Sequence, residues 1–398
     1  MDRAQFAPDF AIKIDGQPIA AELRGSIESV RCHTGYEGLD EVEFTIANDG
    51  LRWLDNPQFA LDTPVTLSMG YAPSPLTQVF DGEVVARGAS FPAGGAPKFT
   101  VTAHDRRHHM SDGKKVRWFA IPLPCPGNLP LPDIATASIV SLENLMVPLF
   151  DPVGAALSII LGGIDTIVAI TDPDSAQKVI RKQANESDYD FLGRIAAENG
   201  WDMSVEHEGP LGGHLLHFTS SLDHLYADFT YGYGQSLIEF LPRVSKVGQI
   251  ASIGGFVWIA AIKMVFNVVL GFDWDRMSLT VAIYPGSMPL NTMPADYMIE
   301  EPLTLTSIPR KLVSELVPKL NRRLTATGAV VGEPRMRAGN VLRIEGAGEE
   351  FGGLYRVTGV THAIDGGGFR TSFEARKEIW FGSIPLADQG AVPVRISF

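Results

Sequence analysis

Hydrophobic and polar residues alternate along much of the chain, and the alternation is most regular near the C-terminus. Phe369, Thr371, Phe373 and Ala375 alternate with polar or charged residues, which is the period-two pattern of a β-strand with one buried face. Three runs in the N-terminal third alternate in the same way, and a fourth predicted strand lies among them. These predicted strands are residues 41–46, 65–71, 78–86 and 98–103. Because turn residues separate them, the pattern predicts a barrel or a sandwich.

Residues 324–377 form a series of predicted strands that glycines interrupt. Gly366, Gly367 and Gly368 precede the last strand, where a tight reversal of the chain needs the backbone freedom of glycine. Such a meander leaves strand edges unpaired, so we expect it to close into a barrel or to pair with another chain. Nothing in this stretch resembles a catalytic site.

Residues 176–235 show a different pattern, which predicts a small α/β unit. A strand is expected at 178–182, and residues 187–190 (SDYD) have the form of a helix N-terminus. The helix would end at Gly200, and strands are expected at 201–205 and 215–218. The predicted apolar face of the helix consists of Phe191, Leu192, Ile195 and Ala196.

The remaining C-terminal region returns to β character before the glycine-rich strands. Strands are expected at 236–241 and 278–284. A helix is expected from 299 to 326, with Pro318 bending it or shifting its start. Its predicted apolar stripe recurs every four residues, at Leu312, Leu316, Leu320 and Leu324.

Composition limits the classes of protein that the chain can belong to. Its 398 residues are enough for two to four domains, and 45% hydrophobic content is typical of a globular protein. The net charge of −13 argues against specific nucleic-acid binding, which needs a basic surface. Two cysteines, Cys32 and Cys125, allow one disulfide, but folding in a reducing compartment is the simpler interpretation. The N-terminus shows no classical signal peptide.

Two apolar stretches are long enough to suggest membrane spans. Residues 146–170 are interrupted by Asp151, Pro152 and Asp165, and residues 247–271 contain Lys263 near the middle. Because a charge inside a bilayer is costly, we expect no membrane span. Buried structure, or an apolar surface covered by a partner, explains both stretches better.

The densest cluster of titratable side chains lies at the end of a predicted strand. Its members are His104, Asp105, Arg106, Arg107, His108 and His109. A metal site needs His ligands on one face of the backbone, and the two adjacent histidines are expected to point apart. We therefore predict a polar corner in which Asp105 pairs with Arg106 or Arg107. The sequence predicts no catalytic, metal-ligating or cofactor-binding residue.

Three further motifs predict no site either. Gly232-Tyr233-Gly234 lacks the third glycine of a dinucleotide-binding loop. Asn185-Glu186-Ser187 matches a glycosylation sequon that, without a secretory signal, is interpreted as chance. The acidic residues Glu345, Glu349 and Glu350 lie in a glycine-rich context that is typical of an exposed turn.

Six blocks of the sequence together form a recognisable pattern. In chain order they are residues 80–88 (FDGEVVARG), 99–110 (FTVTAHDRRHHM), 183–205 (QANESDYDFLGRIAAENGWDMSV), 233–245 (YGQSLIEFLPRVS), 332–346 (GEPRMRAGNVLRIEG) and 353–375 (GLYRVTGVTHAIDGGGFRTSFEA). In this order the blocks resemble the phage late control gene D family, and the first two resemble the end of the family's first barrel. The members of this family are baseplate hub proteins of contractile tails and are related to the hub part of the VgrG spikes of type VI secretion.

The resemblance implies a mainly β (α+β) fold, with two β-barrel domains of hub type. The residue patterns, taken with this resemblance, divide the chain into a first β-barrel region (1–116), a proline-rich and apolar insertion (117–175) that the family does not lead us to expect, a small α/β domain (176–235) and a second β-barrel region (236–398). The resemblance further implies a homotrimer that joins the hexameric tail tube to the trimeric spike around a central channel. Other baseplate proteins would be partners, in a virion or injection-particle baseplate assembled in the bacterial cytoplasm.

The apolar stretches 146–170 and 247–271 depart from what the family leads us to expect. The insertion would contact the spike, the tape measure protein or a cargo, or it would shield the channel. Because the chain ends at Phe398 without a β-helical needle, a separate spike protein is expected. No cofactor is implied, and the sequence does not distinguish a phage from a tailocin or another contractile injection system.

Two alternative functions remain open at the level of sequence. One is a tail-tip cell-wall hydrolase, whose candidate residues would be His104, Asp105 and His108. The other is a membrane-anchored binding protein that uses one of the apolar stretches. The structural hub is the leading hypothesis, because no nucleophile or metal constellation stands out in the sequence.

Overall fold

The computed structural model shows a mainly β protein, as the alternating pattern predicts. It describes residues 7–119, 128–130, 181–198, 200–209, 212–220, 224–245, 250–259, 263–274, 278–286, 295–299, 308–379 and 394–397. The apolar stretch 146–170 lies outside the described residues. Cys32 is buried with a free thiol.

Strands make up most of the regular structure. The N-terminal strands are β1 (Ala7–Ile14), β2 (Gln17–Pro18), β3 (Ile27–Gly35), β4 (Glu41–Ala47), β5 (Pro64–Ala72), β6 (Thr77–Ser90), β7 (Lys98–His104), β8 (Lys115–Phe119) and β9 (Asn128–Pro130). The central strands are β10 (Arg181–Glu186), β11 (Trp201–Glu206), β12 (Leu215–Ser220), β13 (Phe229–Gly232), β14 (Leu237–Val244), β15 (Ser252–Ile259), β16 (Met264–Asp273) and β17 (Ser278–Pro285). The C-terminal strands are β18 (Tyr297–Met298), β19 (Leu324–Val331), β20 (Val341–Glu345), β21 (Gly353–Asp365), β22 (Gly368–Arg376) and β23 (Val394–Ser397).

Within the part of the chain that the structure describes, helices are few and short. The α-helices are α1 (Ala21–Ser26), α2 (Asp188–Glu198), α3 (Ile308–Asn321) and α4 (Gly348–Phe351). The 3₁₀ helices are η1 (Asp49–Leu51), η2 (Pro57–Phe59) and η3 (Arg106–Ser111).

One 13-stranded sheet contains most of the predicted strands. The strand order along its main path is β14-β19-β22-β21-β3-β4-β7-β6-β5-β1-β2. Off this path, β20 pairs with β21, and β13 pairs with β20. The four predicted N-terminal strands correspond to β4, β5, β6 and β7, and the glycine-hinged meander corresponds to β19–β22. These predictions are confirmed. The path is open at both ends among the described residues, so closure of each half into a barrel stays a prediction.

Strands β3 and β21 join the N-terminal and C-terminal halves of this sheet. They pair antiparallel, from Gly359 opposite Gly35 to Ile364 opposite Val30. Each half has its own apolar core, one around Phe44, Phe59 and Phe80 and the other around Tyr355 and Phe373.

Strand β22 shows why the alternating pattern predicts this sheet well. Phe369, Thr371, Phe373 and Ala375 are buried, while Arg370 and Glu374 between them are exposed. The chain reverses between β21 and β22 through Gly366 and Gly367, with Asp365 opposite Gly368. The predicted glycine turn is therefore confirmed.

A separate five-stranded sheet consists of β15–β18, which lie between β14 and β19 in the chain, and of β23, which follows β22. Its strand order is β18-β15-β16-β17-β23, and α3 packs on it to form a third apolar core. Strands β14 and β19 nevertheless pair with each other, so the chain returns to the large sheet after forming this smaller one. The domain boundaries expected from the sequence do not distinguish this unit from the second β region.

The apolar stretch 247–271 contributes the hairpin β15–β16 to this smaller sheet. Lys263 lies directly before β16 with a φ of 51°, so the charge that interrupts the stretch lies at the reversal. The alternative of a membrane-spanning helix is wrong for this stretch, because its described residues are strands with several buried side chains. Among the described residues, no helix is long and apolar enough to cross a membrane.

The helix expected from 299 to 326 is shorter than predicted. Helix α3 covers Ile308–Asn321 and contains Pro318, and Leu324 begins β19 instead of continuing the helix. Leu312, Leu316 and Leu320 face the core of the smaller sheet. Leu324 continues the four-residue spacing of the helix leucines, but it is a partly buried residue at the start of β19. For this reason the spacing extended the predicted helix too far.

The described residues contain the helix and the strands of the predicted small α/β unit. Ser187 Oγ accepts a hydrogen bond from the Asp190 amide at 3.0 Å, and helix α2 follows. The predicted apolar face of α2 is buried against β11 and β12, and Gly200 has the positive φ of a helix C-terminus. Of the strand expected at 178–182, residues 178–180 lie outside the described residues, and Arg181 and Lys182 belong to β10.

Candidate functional site

The predicted polar corner forms where β7 ends and η3 begins. Asp105 caps η3, because its Oδ1 accepts a hydrogen bond from the Arg107 amide at 2.7 Å. The same carboxylate accepts two hydrogen bonds from the Arg107 guanidinium, from Nε and from Nη2, each at 2.9 Å. Arg107 is therefore the predicted partner of Asp105. Arg106 instead reaches back to Asp81 on β6, at 2.5 Å.

A second carboxylate, Asp40, completes this buried ion network. Its Oδ1 lies 3.1 Å from Arg107 Nη2, and both side chains are almost fully buried. Burial alone lowers the pKa of Arg107, but Asp40 and Asp105 outweigh it and raise that pKa. Burial likewise raises the pKa of Asp40, but Arg107 and His207 outweigh it and hold that pKa below its usual value of 3.8. The charges therefore stabilise one another.

His207, directly after β11, connects the network to the α/β unit. Its Nε2 donates to Asp40 Oδ2 at 2.8 Å, and its Nδ1 accepts from the Asp81 amide at 3.1 Å. The ring stacks on Phe80 with centroids 5.3 Å apart. Because both nitrogens already have partners, His207 has no lone pair left to act as a base. Its geometry is that of a structural contact.

The residues considered for a hydrolase do not form a catalytic constellation. The Asp105 carboxylate bonds Arg107 and the Asp40 amide. His104 Nε2 lies 3.2 Å from Glu41. His108 Nδ1 donates to the Asp105 carbonyl oxygen instead of the carboxylate. Each of the three residues therefore has a different partner.

His108 and His109 do not point apart as the sequence suggested. Their ring centroids are 3.9 Å apart with an interplanar angle of 37°. Both rings lie near the carboxylate of Glu83 on β6, with His109 Nε2 at 2.8 Å and His108 Nε2 at 3.9 Å from Oε2. The reason is that η3 folds back over β6, so both side chains reach the same strand. Sequence reasoning missed Glu83 because it lies far from the histidines in the chain.

A second buried ion network connects the α/β unit to the C-terminal half of the sheet. Arg356 on β21 and Glu378 are both fully buried, and Arg356 Nε lies 3.0 Å from Glu378 Oε1. Arg376 on β22 bonds Glu378 at 2.9 Å and Asp202 on β11 at 2.6 Å. The sequence signal for this network is weak, because it consists of arginines within otherwise apolar strands.

Strand β11 is thus attached to both halves of the large sheet. Its residues Trp201, Met203 and Val205 are buried in the core of the α/β unit. On its polar face Asp202 bonds Arg376, and Glu206 lies 3.0 Å from Arg337. His207 at its end bonds Asp40 in the N-terminal half. The ionic contacts of one strand therefore fix the α/β unit in place.

A polar cavity of about 380 Å³ lies between β11, the N-terminal half of the sheet and the loop before β20. The charged side chains that line it pair with one another or with close neighbours. Arg337 contacts Glu206, and His224 Nε2 lies 3.0 Å from Asp228. The arrangement supports contacts between units of the fold.

The other sequence motifs have structural roles or lie at the surface. Gly234 has a φ of 75° in the turn between β13 and β14, and the adjacent Tyr233 is exposed. Ser187 of the sequon caps α2 and is buried. Glu349 and Glu350 lie exposed in the first turn of α4.

Comparison with known proteins identifies the fold. No protein-family model and no curated protein sequence matches the chain. The tail protein of Neisseria meningitidis MC58 is similar in structure, with a TM-score of 0.52, 11% identity, and coverage of 94% of this chain and 97% of that chain. The 43 kDa tail protein of prophage MuSo2 from Shewanella oneidensis is similar with a TM-score of 0.54, 11% identity, and coverage of 93% and 98%. The chain therefore has the fold of these tail proteins, which confirms the mainly β fold that the sequence resemblance implies.

Proposed function

We propose that the protein is the central hub of the baseplate in a contractile tail or injection system. In this role it forms a homotrimer that joins the hexameric tail tube to a trimeric spike around a central channel. The observation that carries the proposal is the fold similarity to two tail proteins, one of them from a prophage, over nearly the whole length of both chains. The sequence blocks that resemble the late control gene D family support the same proposal.

The architecture supports a structural adaptor more than a reaction site. Two β regions within one sheet each have their own core, and in the proposed hub they would supply two similar surfaces per chain. Three copies would supply six such surfaces to a hexameric tube and three to a spike. The regions 1–116 and 236–398 would be the two hub barrels, 117–175 an insertion toward other partners, and 176–235 the α/β domain between them.

The end of the large sheet at β14 gives a surface for assembly. Among the described strands, β14 pairs with β19 alone, so its other edge has backbone groups available for another chain. Ile238 and Leu241 on this strand are 54% and 58% exposed. Exposed apolar side chains on an edge strand are typical of a protein–protein contact. We propose that the contact is with another copy of the chain.

Mass measurement of the purified chain tests the hub assignment. Light scattering should give three times the chain mass of 43.2 kDa, and electron microscopy of the particle should show three-fold symmetry. Ile238→Lys should reduce the trimer fraction, because it places a charge on the proposed contact. Leu61→Lys is the matched control, since Leu61 is 55% exposed in the loop before β5. A chain that stays monomeric at every concentration and binds neither tube nor spike protein would refute the proposal.

A further inference from the structure

Glu83, His108 and His109 lie together on the outer face of the N-terminal half of the sheet. Strand β6 supplies Glu83, and η3 supplies both histidines. One nitrogen of each histidine and one oxygen of Glu83 lie within 4.8 Å of one another. In a tetrahedral zinc site with bonds of about 2.0–2.2 Å, neighbouring ligand atoms lie roughly 3.3 Å apart. Small side-chain rotations would therefore bring the three atoms to one ion.

The hydrogen bond of His108 selects the tautomer that a metal needs. Its Nδ1 lies 2.8 Å from the carbonyl oxygen of Asp105, and a carbonyl oxygen can only accept. The proton is therefore on Nδ1, and Nε2 has its lone pair toward Glu83. Metal-ligating histidines in proteins almost always donate their second ring N–H in this way.

The contact between His109 and Glu83 is the place where a cation would enter. His109 Nε2 lies 2.8 Å from Glu83 Oε2, so one proton bridges the two atoms. A divalent ion can take the place of that proton, binding the nitrogen and the oxygen together, when the imidazole moves its proton to Nδ1. The ring then stays neutral, which is the form that binds metals.

The surrounding charges leave Glu83 Oε2 available. Arg106 contacts the other oxygen, Oε1, at 3.3 Å, and its own charge is balanced by Asp81. The side chains of Glu83, His108 and His109 are 15%, 18% and 39% exposed. They are therefore held by the fold and still open to solvent, which could complete the coordination sphere.

We propose that Glu83 Oε2, His108 Nε2 and His109 Nε2 bind one divalent transition-metal ion of the zinc class. Two imidazoles and one carboxylate favour Zn²⁺ or a similar ion over Mg²⁺ and Ca²⁺, which prefer oxygen ligands. The ion would connect η3 to β6 and stabilise the corner that carries the Arg107 network. This inference stands independently of the hub assignment, since it rests on three side chains of a single chain.

Titration of the full-length protein with Zn²⁺ and Co²⁺ tests the site. The protein is purified without a histidine tag and dialysed against a chelator first. Calorimetry should show one Zn²⁺ bound per chain, and Co²⁺ should give visible absorption bands that Zn²⁺ abolishes. Glu83→Gln and the double change His108→Gln with His109→Gln should each weaken binding by about 100-fold or more.

His224→Gln is the matched control, because it removes an exposed histidine that contacts one carboxylate, Asp228. This variant should bind both ions as the wild type does. Circular dichroism of every variant checks that the chain is folded. The proposal is overturned if the wild type binds no ion, if the variants at the site bind as tightly as the wild type, or if His224→Gln loses binding equally.

Discussion

His362 shows at the scale of one residue how the fold keeps a buried polar group neutral. Its Nε2 donates to the Met336 carbonyl oxygen at 3.0 Å, and its Nδ1 accepts from the Thr371 hydroxyl at 3.0 Å. The Thr371 oxygen in turn accepts from the Glu333 amide at 2.9 Å. Burial lowers the pKa of His362 from 6.5 to about 4, although Met336 and Glu333 oppose the shift. The residue is therefore neutral in the folded protein at pH 7.

This lowered pKa predicts a loss of stability in acid. The unfolded chain takes up the proton near pH 6.5 and the folded chain near pH 4. The contribution of His362 is thus complete above pH 6.5 and decreases as the pH falls toward 4. Lowering the pH from about 7 to about 5 should therefore reduce the free energy of unfolding by roughly 2 kcal/mol. Urea unfolding at the two pH values measures this cost.

His362→Gln should remove that part of the pH dependence, because the amide does not titrate. His224→Gln, at an exposed position, should keep the wild-type dependence. Equal pH profiles for the wild type and His362→Gln would contradict the prediction.

The buried ion networks show what sequence can predict about single residues. The pairing of Asp105 with an arginine two positions away was predictable, because both belong to one turn. The partner of Asp40 is His207, 167 positions away, and no local pattern connects them. The orientation of His108 and His109 was missed for the same reason, since it depends on how η3 lies over β6.

At the scale of elements, period-two patterns predicted the strands but not all of their partners. Each strand of the N-terminal half shows its buried face in its own sequence, so β4 to β7 were predictable. The pairing of β3 with β21 joins positions more than three hundred residues apart, and alternation does not specify such a partner. The same limit explains why the five-stranded sheet was assigned to the second β region.

Two glycines of β6 give a matched test of strand packing. A Cβ on Gly82 would overlap the His104 carbonyl oxygen on β7 and lie 2.6 Å from the Phe80 ring. A backbone oxygen within a sheet cannot move aside, so Gly82→Ala should lower the free energy of unfolding by about 1–3 kcal/mol. Chemical denaturation monitored by circular dichroism measures the change.

Gly88, in the same strand, is the control. A Cβ there meets nothing within 4 Å, and its φ is not in the left-handed region. Gly88→Ala should be neutral, or stabilising by up to about 1 kcal/mol, because alanine restricts the unfolded chain. Equal destabilisation by both substitutions would show that loss of glycine, and not contact with β7, is responsible.

At the scale of the whole molecule, the described residues divide into units. These units are connected by ion pairs as well as by backbone hydrogen bonds between strands. The two halves of the large sheet share backbone hydrogen bonds through β3 and β21. The α/β unit is attached to both halves through Asp40–His207 and Asp202–Arg376. The five-stranded sheet has a separate apolar core. The pairing between the two halves fixes their relative position within the chain.

This division predicts that a substitution in the core of one sheet lowers the stability of that sheet and leaves the other sheet unaffected. Leu316 on α3 and Leu67 on β5 are both fully buried, the first in the core of the smaller sheet and the second in the N-terminal core. Replacing either by alanine should cost about 2–5 kcal/mol locally. Native-state hydrogen exchange followed by mass spectrometry locates the effect. Leu316→Ala should accelerate exchange in β15–β17, and Leu67→Ala should do so in β4–β7.

The pair of leucines is matched in residue type and burial, while Leu316 lies on a helix of the smaller core and Leu67 on a strand of the N-terminal core. If the units are independent, each substitution leaves exchange in the other core near the wild-type rate. If both substitutions accelerate exchange in both cores equally, the two sheets unfold as one cooperative unit and the division is wrong. Independent units would allow the smaller sheet to move or open while the large sheet keeps its geometry.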